Sequence, residues 1–173
     1  MIAETKRLII SKFTIDEAPF FLELANTSHW IKYIGDRNIK TIIEAEHHII
    51  NGHIKSYKTH GFGFYKLNLK ENNNPIGTCG FIKRDTLDHV EIGFAFLPEY
   101  ESKGYGYESS TALLKVAKDE FNIDTIIAIT MSINKPAINL LEKLGLSFKK
   151  MVNPFEDGEE LMLFAKNLSD DNI

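Results

Sequence analysis

Pro98-Glu99-Tyr100-Glu101-Ser102-Lys103-Gly104-Tyr105-Gly106-Tyr107-Glu108 is the stretch on which the reading of this chain turns. Upstream of it, His89 to Leu97 is an apolar run with the character of a strand. Downstream, Ser109 to Phe121 has the spacing of an amphipathic helix. A strand, a glycine loop and a helix start in succession suit a phosphate group. The first N–H groups of a helix lack carbonyl partners, and the helix dipole favours negative charge where they converge. Gly104 and Gly106 permit unusual φ angles and close approach of a ligand. The spacing sets aside two other phosphate loops. No Gly-x-x-x-x-Gly-Lys-Ser/Thr run occurs, so there is no P-loop. A dinucleotide fingerprint is met only in part by Ser109, and Asp124, the acidic residue about twenty positions on, precedes a strand instead of ending one. Alone, Gly-x-Gly is equally an ordinary strand-to-helix turn.

The 173 residues suffice for one domain with a real core, here 1–173, and are short for two. With 43% hydrophobic and 25% charged residues, the composition is that of a soluble globular protein. No apolar run approaches the ~18 residues of a membrane span. The first residues lack the form of a signal peptide, and a lone Cys79 cannot form an internal disulfide; both lead to a cytoplasmic expectation. A formal charge of -4 disfavours nucleic acid as a partner and mildly suits a cationic amine.

Residues 6–13 read as a first strand. Thr14-Ile15-Asp16-Glu17 and Thr41-Ile42-Ile43-Glu44 are capping boxes that open helices running to about Asn26 and about His60. Between those helices, Thr27 to Lys40 reads as irregular and holds the only Trp, Trp30. Strands follow at 62–70, 75–84 and 89–97, then the loop and its helix, a buried strand at 125–131 and a short helix at 135–144. Two last strands, about 146–152 and 160–166, flank the turn 153–158. The order implies an α/β (α+β) fold: a mixed, mostly antiparallel sheet of about seven strands flanked by about four helices.

Several segments together resemble the GNAT N-acetyltransferase superfamily. Glu101-x-x-Gly104-x-Gly106 resembles its acetyl-CoA pyrophosphate loop, usually written Gln/Arg-x-x-Gly-x-Gly/Ala. Thr5 to Ile10, Pro75 to Phe81, Val90 to Phe94, and Asn134-Lys135-Pro136-Ala137 with Glu142 to Leu146 look like its opening strand, central strand, pre-loop strand and late helix. The nearest branch is that of ribosomal-protein N-terminal acetyltransferases. The resemblance implies acetyl-CoA as co-substrate and no metal. It assigns the pyrophosphate to Ser102, Lys103, Gly104, Tyr105, Gly106 and Tyr107. It pairs the pantetheine arm with Ala95, Phe96 and Leu97, where the strand splays from its neighbour, and makes the N–H near Leu97 an oxyanion donor. Asn134 matches a residue near the pantetheine, and Asn139 is a further cofactor candidate.

Glu91 is the acid–base candidate. Along a strand it shares a face with Gly93, Ala95 and Leu97, small neighbours that leave room for a substrate, while Val90, Ile92, Phe94 and Phe96 are wholly apolar. The alternative is a solvated or salt-bridged strand Glu. Neutralising an α-amine at pH 7 costs roughly 1.4 kcal/mol, and a Lys amine roughly 4.6 kcal/mol. A single carboxylate meets the first demand more easily, which favours a protein or peptide N-terminal amine. The other acceptors are small-molecule amines: amino acid, polyamine or aminoglycoside. A non-catalytic acetyl-CoA-binding regulatory module is the rival class.

The chain departs from the family in three places. Ala137 and Leu141 stand where relatives have a Ser and a Tyr able to protonate the thiolate, leaving water, Tyr100, Tyr105 or Tyr107. Glu101, in place of Gln or Arg, would repel a pyrophosphate unless it points away. His47, His48, His53 and His60 share one helix, but none lie four apart, so no facing metal pair arises. Cys79 reads as a buried structural thiol. Trp30, Tyr33 and Phe62 are candidates for the acceptor side, together with the 153–158 turn. Some relatives form homodimers; no apolar stripe here demands one.

Overall fold

The structure is a computed structural model in which residues 1–170 are described. Eight strands form one sheet in the order β1-β2-β3-β4-β5-β6-β8-β7. They are β1 (Ala3–Glu4), β2 (Leu8–Lys12), β3 (Phe64–Leu69), β4 (Pro75–Ile82), β5 (Val90–Phe96), β6 (Thr125–Thr130), β7 (Ser147–Val152) and β8 (Leu161–Asn167). All neighbours are antiparallel except β5 and β6. The strand beyond the expected seven is the two-residue β1, too short to leave a periodic signature.

The helices are α1 (Ala18–Ala25), α2 (Ser28–Tyr33), α3 (Ile42–His48), α4 (Lys55–His60), α5 (Tyr105–Asp119) and α6 (Lys135–Lys143). Both capping boxes form: Thr14 and Thr41 accept from the first turn, and Glu17 and Glu44 reach back to the cap N–H groups. α2 corrects the irregular reading of residues 27–40. The Thr27 hydroxyl caps it by accepting from Trp30 N–H, and buried Trp30 holds it to the core. The expected single helix to His60 is instead α3, a π-helical segment Ile49–Ile54 and α4, joined without a break in helical backbone angles.

The sheet separates two layers. On one face, Leu113, Leu114 and Ala117 of α5 and Leu141 of α6 pack with Ile76, Ile92 and Phe164. On the other, Phe20, Phe21 and Leu24 of α1, Trp30 of α2 and Ile49 pack with Phe13 and Leu97. Alternate residues of β5 thus serve opposite layers, as strand geometry requires.

β4 and β5 stay paired through six positions, Gly77–Ile82 against Phe96–Glu91. β5 and β6 pair only at Val90↔Ile126 and Glu91↔Ile127. Beyond Glu91 the two strands part, and the sheet is open between them.

Candidate active site

Register decides what β5 offers to that opening. Leu97 N–H donates to Ile76 O at 2.9 Å. In an antiparallel ladder the backbone groups of successive residues turn to opposite sides. Leu97, Ala95, Gly93 and Glu91 therefore turn their backbone groups toward β4. Phe94 and Phe96 turn theirs toward the side that β6 has left. This corrects the expectation for Leu97, whose N–H is engaged within the sheet and is no oxyanion donor. Of Ala95, Phe96 and Leu97, only Phe96 presents backbone groups to the gap, joined by Phe94, which the sequence reading had placed only on an apolar face. Ala95 contributes its Cβ to the cavity described below.

The glycine loop lies just beyond the end of β5. α5 begins at Tyr105, four residues earlier than the apolar spacing indicates, so Tyr105, Gly106 and Tyr107 form its first turn. Gly104 is the N-cap at φ 83°, and Ser102 also has positive φ, at 58°. Among the described residues, no backbone carbonyl accepts from the N–H groups of Ser102 to Tyr107. The loop is held from outside. Glu108 accepts from Thr5 Oγ1 at 2.6 Å, Arg7 N at 2.8 Å and Arg7 Nε at 2.7 Å. Arg7 also donates to Lys103 O at 3.0 Å and lies over the Tyr105 ring at 4.2 Å. Side chains are disfavoured at both glycines: Gly104 has a left-handed φ and its Cβ would stand 3.3 Å from Arg7 Nη2, and a Cβ on Gly106 would push Leu140 Cδ2, 2.8 Å away, aside. Glu101 turns aside to His29, whose Nδ1 stands 2.7 Å from its carboxylate. That partner, far away in sequence, engages the carboxylate.

A cavity of about 400 Å³ borders the opening, lined by Glu91 to Ala95 of β5 and by Ala128 to Met131 at the end of β6. Glu91 lines it and is 6% exposed. Arg84 Nε donates to Glu91 Oε2 at 2.7 Å, and the Arg84 guanidinium lies 4.9 Å from the centre of the Phe155 ring. Oε1 has no hydrogen-bond partner among the described residues. Burial pushes the Glu91 carboxyl above its usual range, and the Arg84 charge holds part of that rise back. Glu91 is thus both salt-bridged and placed in a cavity, combining the two readings its strand position allowed. The room expected beside Gly93 is occupied: a Cβ there would meet the Phe64 ring at 3.0 Å.

Trp30, Tyr33 and Phe155 line the cavity, whereas Phe62 packs in the larger core with Phe81 and Phe121. His53 also lines it. Its ring is wedged between Phe13 at 4.6 Å and Phe21 at 5.1 Å, and its Nδ1 has no partner. Burial lowers its pKa to about 3, so the ring is neutral. The His48 and His53 rings lie 5.8 Å apart, face to edge. The π-helical segment brings them together, because an i→i+5 turn faces residues five apart; the spacing rule used on the sequence holds only for an α-helix. No cluster of metal-ligating side chains occurs among the described residues.

Asn134 reaches the cavity wall while its Oδ1 caps α6, accepting from Ala137 N at 3.3 Å. Ala137 and Leu141 line the cavity too, but Tyr100, Tyr105 and Tyr107 do not. Asn139 is exposed on α6 and outside the lining. Cys79 is fully buried against Ser110, and burial pushes its thiol up to about 11, which keeps it protonated and unreactive.

A parted parallel strand pair, a glycine-capped helix start beyond the end of β5 and a carboxylate-bearing cavity that borders the parted strands occur together. Residues 7–147 match the family model described as the acetyltransferase (GNAT) domain. The chain is a GNAT acetyltransferase. It is 28% identical over 152 residues to the uncharacterised N-acetyltransferase YnaD of Bacillus subtilis, covering 86% of each chain. Its fold is similar to the ribosomal-protein-S5-alanine acetyltransferase of Vibrio fischeri, with a TM-score of 0.80, 16% identity and 97% of each chain covered. It is also similar to the spermidine N-acetyltransferase of Vibrio cholerae in complex with CoA and spermine, with a TM-score of 0.77, 17% identity and 94% and 96% coverage. As a GNAT enzyme it is an acetyl-CoA-dependent acyltransferase. Those two neighbours carry the names of different acceptors on one fold, so the acceptor of this GNAT enzyme has to be argued from its own cavity. Among the described residues, no helix is long and apolar enough to cross a membrane.

Proposed function

We propose that this enzyme transfers acetyl from acetyl-CoA to an N-terminal α-amine, with Glu91 as the base. The single observation that carries this reading is a buried carboxylate, one oxygen free, facing a cavity that borders the gap between β5 and β6. Acetyl-CoA, when bound, supplies an acyl group already activated as a thioester, so no nucleophilic side chain is needed. The chain's own fit to it is good. The N–H groups of Ser102 to Tyr107 would hold the diphosphate at the start of α5. The N–H and C=O groups of Phe94 and Phe96, lacking a strand partner, would hold the pantetheine arm, and their N–H groups are the donors available to a developing oxyanion.

Glu91 then withdraws one proton from the amine at Oε1, while Arg84 fixes Oε2. Its raised pKa makes it a better base than an exposed carboxylate. With one carboxylate on hand, the roughly 1.4 kcal/mol needed for an α-amine is within reach and the roughly 4.6 kcal/mol for a Lys amine is less so. No side-chain acid is assigned to the departing thiol, whose reference pKa of about 8.5 allows it to leave as thiolate at modest cost and then take, directly or through water, the second proton that the nitrogen sheds as the amide forms.

The test is Glu91→Gln, assayed by thiol release with peptide acceptors and by calorimetric titration with acetyl-CoA. Turnover should fall about 10²-fold or more while acetyl-CoA affinity stays near that of the wild type. Turnover equal to wild type would remove Glu91 from the role.

A further inference from the structure

The chain as a whole carries a formal charge of -4, but its cavity does not share that sign. Arg37, Arg84 and Glu91 are the lining residues with fixed charge, two guanidinium groups against one carboxylate. The lining histidines add no acid, and burial holds both His48 and His53 toward the neutral form. Glu91 is the only carboxylate among the described lining residues, and Arg84 already engages it through Nε. The two terminal nitrogens of Arg84 make no hydrogen bond among the described residues, and Phe155 restrains the plane of the guanidinium. Arg37, exposed in the segment after α2, pairs with no acid among the described residues.

We infer that the acceptor carries a carboxylate near its amine: the amine meets Glu91 while the carboxylate is read by the free edge of Arg84 and by Arg37. This rests on the acetyltransferase reading and narrows it. A guanidinium with an unused edge is the side-chain group best matched to a carboxylate, because it donates two parallel hydrogen bonds. A polyamine or an aminoglycoside would bring further ammonium groups beside two guanidinium groups, with no second carboxylate to receive them. The local charge therefore reverses what the net charge of the chain suggests.

The same chemistry has two sources, a peptide N-terminus followed by an acidic residue and a free amino acid, whose own α-carboxylate stands beside its amine. A matched panel separates them: peptides beginning Ala-Asp, Ala-Asn and Ala-Lys, free alanine and alaninamide, and spermidine. Thiol release gives kcat/KM for each with wild-type enzyme and with Arg37→Gln. The carboxylate-bearing member should exceed its amide partner about tenfold in peptides, in free alanine against alaninamide or in both, as expected for one charge-assisted contact. Arg37→Gln should narrow that ratio. Equal or better use of the amide, the Lys peptide or spermidine would overturn the inference and leave the acetyltransferase reading standing. Acetylation of none of them would overturn both.

Discussion

Replacing Gly104 by Ala separates the backbone demand of the loop from its proposed use. Gly104 caps α5 at φ +83°, a left-handed angle that costs an L-residue about 1–2 kcal/mol. The added methyl would also come within 3.3 Å of Arg7 Nη2, and Arg7 in turn holds Lys103 O and Glu108. Gly61→Ala is the matched control: it sits at φ +80° after α4, and its Cβ would meet nothing within 4 Å. A chain of this size loses about 2–4 °C of Tm per kcal/mol, so each variant should melt about 2–8 °C below wild type. Only Gly104→Ala should also weaken CoA binding, by about 10- to 100-fold, because one misdirected N–H to a charged phosphate is worth about 1.5–3 kcal/mol. Scanning and titration calorimetry measure the two quantities on the same samples. Wild-type CoA affinity in Gly104→Ala, or equal loss of affinity in both variants, would refute the assignment of the diphosphate to this loop.

His53→Phe should flatten the stability of the protein on the acid side. The folded pKa of His53 lies near 3 and the unfolded value near 6.5, so the unfolded chain binds the extra proton between them. Stability is then full above about 6.5 and is lost toward about 3, at roughly 1.4 kcal/mol per pH unit; urea unfolding across that range in the two proteins checks it. Glu108→Gln should cost about 1–2 kcal/mol at pH 7, since its three contacts hold the β1–β2 turn to α5. Those donors hold the Glu108 carboxyl below its usual range, so its contribution is present above the unfolded pKa and lost as pH falls through the folded one; the variant and wild type should converge in acid. Gly80→Ala should cost more than about 3 kcal/mol or prevent folding, because its Cβ would stand 2.3 Å from Gly63 O, a backbone atom that cannot turn away. Wild-type melting of that variant would show that β3 and β4 can shift apart.

The elements with local chemistry were legible in the sequence. Two capping boxes, the turn glycines and the period of each strand depend on neighbours within a few residues. What failed were features set by distant partners. Leu97 and Phe96 cannot be told apart as gap-facing residues on a strand alone, because the parity is fixed by which residue Ile76 meets. Glu101 looks hostile to a pyrophosphate until His29 is placed beside it. The sequence does not mark out Arg84, because a basic residue near a strand end is ordinary until its guanidinium is found on Glu91. α2 escaped because six residues give too little periodicity to detect. The meeting of His48 with His53 required a winding that no propensity announces.

The parting of β5 from β6 also has a mechanical consequence. With only two residue pairs between them, the sheet is nearly two plates, β1 to β5 and β6-β8-β7, stitched at one corner. A ligand lying in the slit and bonded to β6 as well as to Phe94 and Phe96 of β5 would act as a missing rung, and the plates would then flex as one beam. Binding would also stabilise the folded chain by about 2.7 kcal/mol at a hundredfold excess over Kd. Amide exchange along β5 and β6 should slow together when CoA is added, well beyond the residues it touches.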